Sequence, residues 1–249
     1  MSLTTVLSVA VRPDRMQSYE AHVHTLAERA AATKNTPEWA AHQVAVGSLG
    51  TIHFTSTASS WSALAEREPI EELARRVLGN TEGTKLLEHL AGCVVSQRHL
   101  IGQDRADLSY PPPSSEPTKA MATVATLRAR PGGQDPLEEL IRKAAQAIPS
   151  LKDPRRFLAY QTVVGDLRTY WVVTPLDSLA DLDGMLPPHE LLQRAFGAEG
   201  SLIYRTALDQ IEHFEREIST LRPELSNGTW VKSFIARTAE RAAARPGAH

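Results

Sequence analysis

The chain has 249 residues, 42% hydrophobic and 22% charged, with a net charge of −2 and a pI near 6.5. That length holds two domains of ordinary size, and the near-neutral balance gives no electrostatic drive toward nucleic acid or an anionic membrane. No apolar run reaches roughly 18 residues, residues 1–11 lack a secretory-signal layout, and the lone Cys93 has no internal disulfide partner, so a cytoplasmic protein is expected.

Thr4–Val11 reads as a short apolar strand, broken at Arg12-Pro13-Asp14, where a helix opens and runs to about Ala32. Met16, Tyr19, Val23, Leu26 and Ala30 recur three and four apart and give that helix one apolar face. Trp39–Val46 and Thr51–Thr55 form a hairpin around Gly47-Ser48-Leu49-Gly50. Helical stretches follow at 60–78 and 83–92, and a strand at 94–102. The order then repeats: strand Thr123–Ala129, a break at Arg130-Pro131-Gly132-Gly133, and a helix burying Leu137, Leu140, Ile141, Ala144 and Ile148. A hairpin Phe157–Val164 and Thr169–Val173 turns at Gly165, with helices at 177–182 and 189–209 and a strand at 211–219.

The second half is the first half again. At an offset of 118, Ala41, Gln43, Gly47, Leu49 and Thr51 meet Ala159, Gln161, Gly165, Leu167 and Thr169, and Ser60 meets Ser178. After one deletion the offset is 117, pairing Arg105, Leu108 and Ser109 with Arg222, Leu225 and Ser226. One spacing held over about a hundred positions marks a duplicated unit. The copies are assigned to 1–109 and 119–226, with a Pro-rich linker at 110–118 and a helical tail at 227–249. In the tail Trp230, Phe234 and Ile235 are expected to share one face.

This duplicated βαββαβ order resembles the dimeric α/β-barrel superfamily, a ferredoxin-like fold that includes antibiotic-biosynthesis monooxygenases, Dabb-type stress proteins and chlorite-dismutase-like haem proteins. The resemblance rests on element order and duplication, not on a diagnostic motif. It implies an α+β chain whose two tandem ferredoxin-like repeats form an intramolecular dimeric α/β barrel, with sheets facing each other and helices outside. A sheet covered on one side by helices leaves a second face that needs a partner, and a tethered copy supplies one.

Pairing Gly47 with Gly50 sets Val46 opposite Thr51, Val44 opposite His53 and His42 opposite Thr55, which makes His42 and His53 diagonal neighbours. Alternation puts His42, Val44, Thr51 and His53 on one face, and the more apolar Ala41, Gln43, Ile52 and Phe54 against the helices. The corresponding inward positions of the second copy are Tyr160, Thr162, Thr169 and Trp171. His42 and His53 are thus the catalytic candidates, with Tyr160, Trp171, Thr51, Thr169 and His99 lining a substrate site. A metal is not expected, since no Cys or HExxH spacing supports one.

The resemblance implies a pocket for a small hydrophobic or aromatic metabolite and monooxygenase-like chemistry that needs no cofactor. A haem variant is disfavoured, because the second copy offers only His189 and His213, neither in a recognisable motif. The competing reading is a non-catalytic ligand-binding or assembly module, self-associating through outer surfaces or the C-terminal helix.

Overall fold

A computed structural model describes residues 2–110 and 119–243. The linker, except Tyr110, and the last six residues of the tail lie outside the described residues. Among the described residues there are eight strands and seven helices. They are β1 (Leu3–Val11), α1 (Met16–Ala31), β2 (Ala40–Val46), β3 (Thr51–Ala58), α2 (Trp61–Ala65), α3 (Ile70–Leu78), α4 (Asn80–Cys93) and β4 (Val94–Asp104). Then follow β5 (Met121–Ala129), α5 (Gln134–Ser150), β6 (Leu158–Val164), β7 (Thr169–Leu176), α6 (Pro188–Asp209), β8 (Ile211–Leu221) and α7 (Thr229–Ala243). The hydrogen-bonded strand order β1-β3-β2-β8-β5-β7-β6-β4 closes as an eight-stranded barrel.

Local sequence explains where these elements start and turn. Gly47 and Gly165 open the two hairpin turns at φ of 118° and 125°, a region that strains any residue with a Cβ. Ser60 caps α2 by accepting the amide of Ala63 at 3.1 Å, which satisfies one of the helix's orphan donors. Its offset partner Ser178 begins a 3₁₀ turn, where its own amide donates to the Asp181 carboxylate at 3.3 Å.

The chain divides into two compact units, each assembled from stretches distant in sequence. One holds Leu100–Thr220 with short pieces from the first half; its core is Leu127, Leu137, Ile141, Ile148, Tyr170, Leu191 and Leu192, contributed by β5, α5, β7 and α6. Leu108, which follows β4, is fully buried in that core. The other unit holds Thr5–Val44, Ser48–His99 and Leu221–His249, and its sheet core is Val9, Val11, Tyr19, Val23, Ala41 and Ile52. Leu225, which follows β8, is buried there at 1% exposure. Each such leucine contributes about 1.5–3 kcal/mol by leaving water.

The backbone bonds around these two leucines are the same at equivalent positions. Arg105 donates its amide to Ala159 O at 2.9 Å, and Arg222 donates its own to Ala41 O at 2.8 Å. Ser109 Oγ accepts from the Ala159 amide at 2.9 Å, as Ser226 Oγ does from Ala41 at 2.9 Å. Both serines also donate to the arginine carbonyl, at 2.8 and 2.7 Å. The Arg, Leu, Ser and Ala matches seen in the sequence are therefore the residues of two latches, one holding the chain after β4 against β6 and the other holding the chain after β8 against β2.

Two expectations are corrected. The β2–β3 register pairs His42 with His53 directly, along with Ala41–Phe54 and Gln43–Ile52, a shift of two residues from the sequence reading. A two-residue shift leaves every side chain on its expected face, so parity was right while the diagonal geometry was not. The hairpin also needs more residues than a tight turn, because Gly50 is tied to β1 through its carbonyl, which accepts the Val11 amide at 2.9 Å. In α7, Phe234 is buried at 7% whereas Ile235 is 51% exposed, because each helical step rotates the side chain by about 100°.

Candidate functional site

In each unit the core residues shared by sheet and helices fall on one sheet face, and among the described residues none of them lies on the opposite, helix-free face. In the first-described unit Tyr170 and Leu127 lie on the helix side, so alternation places Tyr160, Trp171 and Thr126 on the helix-free face. The register extends these into a row of directly opposed residues across five strands: Asp104, Tyr160, Trp171, Thr126 and Glu215. Opposed residues have Cβ atoms about 4.5–5.5 Å apart, so the row is continuous. Thr169 lies one pair further along, beside Arg128, and is buried at 4%. Glu217, opposite Val124 on the same face, is buried at 8%.

Trp171 fits tightly because β4 has glycine at 102. A Cβ there would stand 2.4 Å from the indole Cζ3. Burial, helped by the Asp104 carboxylate, pushes the Tyr160 hydroxyl up to about 12, so it is a hydrogen-bonding phenol near neutrality. Burial also raises Asp104, against hydrogen bonds from Ser2 and Thr4; Thr4 Oγ1 donates to the carboxylate at 3.1 Å.

In the other unit Ala41 and Ile52 pack with α1, which leaves His42, His53 and Thr51 on the helix-free side. Ser8 Oγ lies 2.8 Å from His53 Nδ1. His42 Nδ1 is enclosed without a hydrogen-bond partner. Desolvation, reinforced by charge on His53, lowers His42 to about 4, so it is neutral at ordinary pH. The same register positions thus carry His42–His53 in one hairpin and Tyr160–Trp171 in the other.

His99 is exposed, and among the described residues no group of three His, Cys, Asp or Glu could hold a metal. Ser8, Asp104, Thr126, Glu215 and Glu217 join these faces without having been singled out in the sequence; tracing alternation along β1 and β5 would have found Ser8 and Thr126. Haem fits poorly. His189 is exposed on α6 with its ring centroid 5.9 Å from that of Tyr204, and His213 is exposed and 3.9 Å from Glu215.

The retained glutamines serve the latches. Gln161 Oε1 accepts from Arg105 at 2.8 Å, and Arg105 also pairs with Glu138 at 2.7 Å and Asp107 at 2.8 Å. Gln43 likewise accepts from Arg222, which pairs with Glu20 at 2.9 Å and Glu224 at 2.5 Å. Hydrogen bonds from Arg105 hold Glu138 below the usual carboxylate range, with Tyr170 adding to the effect.

No family model matches the chain, and no curated protein matches it. Solved structures do. An anthrone oxidase-like protein is 14% identical with a TM-score of 0.56, over 89% of this chain and 91% of its own. A candidate monooxygenase from Lactobacillus acidophilus is 5% identical with a TM-score of 0.52, over 88% and 93%. Chlorite dismutase from Candidatus Nitrospira defluvii is 11% identical with a TM-score of 0.52, over 94% of each chain. Among the described residues no helix is long and apolar enough to cross a membrane. At such identities the likeness is one of fold: an α+β chain with an eight-stranded antiparallel barrel.

Proposed function

We propose that this is a small-molecule-binding protein of monooxygenase-like kind, cytoplasmic, acting on a hydrophobic or aromatic metabolite. Its architecture is read as two tandem ferredoxin-like repeats, 1–109 and 119–226, forming a dimeric α/β barrel within one chain. His42 and His53 are the proposed catalytic residues, and Tyr160, Trp171, Thr51 and Thr169 the proposed substrate-binding ones. One observation carries the reading: equivalent register positions on the two helix-free faces hold paired imidazoles in one copy and paired large aromatics in the other. Sequence divergence at these positions, against identity in the latches, supports a binding role for these faces. The names of the fold neighbours agree with chemistry of this class.

Native mass spectrometry of the freshly purified chain is expected to show a bound organic molecule. His42→Ala with His53→Ala is expected to lose it while unfolding cooperatively, as the unaltered chain does. Retention of the ligand by the double variant would remove the histidines from the proposal.

A further inference from the structure

The two paired imidazoles are not equivalent. Ser8 Oγ sits 2.8 Å from His53 Nδ1 and fixes that ring. His42 keeps partial exposure as a residue, yet its Nδ1 is enclosed and has no partner, so whatever the ring can reach it reaches from elsewhere than Nδ1. A neutral imidazole has one N–H and one lone pair, and an enclosed N–H without an acceptor is the rarer and costlier defect. The proton therefore belongs on Nε2.

We infer that His42 is a neutral, Nε2-protonated imidazole that donates a hydrogen bond to a carbonyl-type oxygen of the ligand, acting as a polarising donor and not as a general base. The inference rests on the small-molecule reading above and narrows its ligand to one bearing a carbonyl or comparable oxygen acceptor. Burial keeps the ring unprotonated across the neutral range, so the donor is imidazole and not imidazolium. A neutral imidazole polarises an oxygen without presenting a cation that would favour carboxylates or phosphates.

Long-range proton–nitrogen NMR on the labelled full chain reports the tautomer of each histidine, and comparison with His42→Gln assigns the resonances. The expected result is an Nε2–H signature for His42. In parallel, binding of α-tetralone is compared with that of tetralin, the same ring system without the carbonyl. The unaltered chain is expected to prefer the ketone about tenfold, the worth of one good hydrogen bond. His42→Ala is expected to abolish the preference. His42→Gln, whose amide N–H reaches about where Nε2 sits, is expected to retain most of it. An Nδ1–H signature, or a ketone preference that survives His42→Ala, overturns the inference. If neither probe binds, the small-molecule reading falls and the carbonyl partner falls with it, whatever the tautomer. The tautomer measurement needs only His42→Gln to fold, for its assignment, so it stands even if His42→Ala does not fold.

Discussion

The two latches and the two paired sites beside them differ in how closely their equivalent positions match in residue type. At the latches Arg105, Leu108, Ser109, Ala159 and Gln161 repeat as Arg222, Leu225, Ser226, Ala41 and Gln43, with equivalent backbone bonds agreeing within about 0.1 Å. A few residues away, Tyr160 and Trp171 are paired in the β6–β7 hairpin as His42 and His53 are in the β2–β3 hairpin. Architecture is repeated and chemistry is not. The helix side must satisfy the same buried backbone groups twice, which fixes residue type, whereas the helix-free side is free to differ.

The comparison breaks most visibly in the latch cores. Leu108→Ala and Leu225→Ala each leave a cavity at a site buried to 1% or less and are expected to cost about 2–5 kcal/mol in urea unfolding. Similar losses, with faster amide exchange at Ala159 in the first variant and at Ala41 in the second, show two working latches. A loss under about 1 kcal/mol in one variant would mean that latch is decorative.

The paired sites are separated next by pH. His42 has a folded-state value near 4 against 6.5 unfolded, so as pH falls the unfolded chain takes up the proton first. The stability carried by its neutral burial is intact above about 6.5 and is lost between there and about 4, by up to about 3 kcal/mol. His42→Gln is expected to flatten that limb of the stability–pH curve. Tyr160, raised to about 12 by burial, has no counterpart limb in this range. On the aromatic side, Gly102→Ala places a Cβ 2.4 Å from Trp171 and is expected to cost about 1–3 kcal/mol through overpacking, with a shift in tryptophan emission.

Much of this was legible in the sequence, for physical reasons that differ by element. The hairpin turns were readable because Gly47 and Gly165 occupy positive φ, and α1 because its apolar spacing is unbroken. The face holding His42 and His53 followed from parity alone, whereas register depends on how Gly50 is tied to β1, a contact 39 residues away that no local pattern encodes. Gln43 and Gln161 were correctly placed toward the helices, but their partners, Arg222 and Arg105, are distant in sequence. Asp104 and Glu217 lie on strands whose alternation is blurred by exposed stretches on both faces, so the polar row across β4, β6, β7, β5 and β8 emerged only from strand pairing.

The smallest expected effect tests whether the latches are equal in detail. Tyr170 occupies the position of Ile52, and its hydroxyl donates to Glu138 at 2.7 Å while accepting from Gln161 at 3.1 Å. The Arg222 latch has no such hydroxyl. Tyr170→Phe is expected to cost about 1 kcal/mol, since Arg105 continues to satisfy the carboxylate. Glu138 is depressed in the folded state, so the stability it carries is present above the ordinary carboxylate range and is lost as pH falls through its lowered value. Without the tyrosine its pKa moves back toward the ordinary range, and acid loss begins at a higher pH, detected as earlier amide exchange at Ala159 with Ala41 unchanged. If Tyr170→Phe leaves both the stability and the acid limb unaltered, the hydroxyl contributes nothing, and the two latches are equivalent despite their different neighbours.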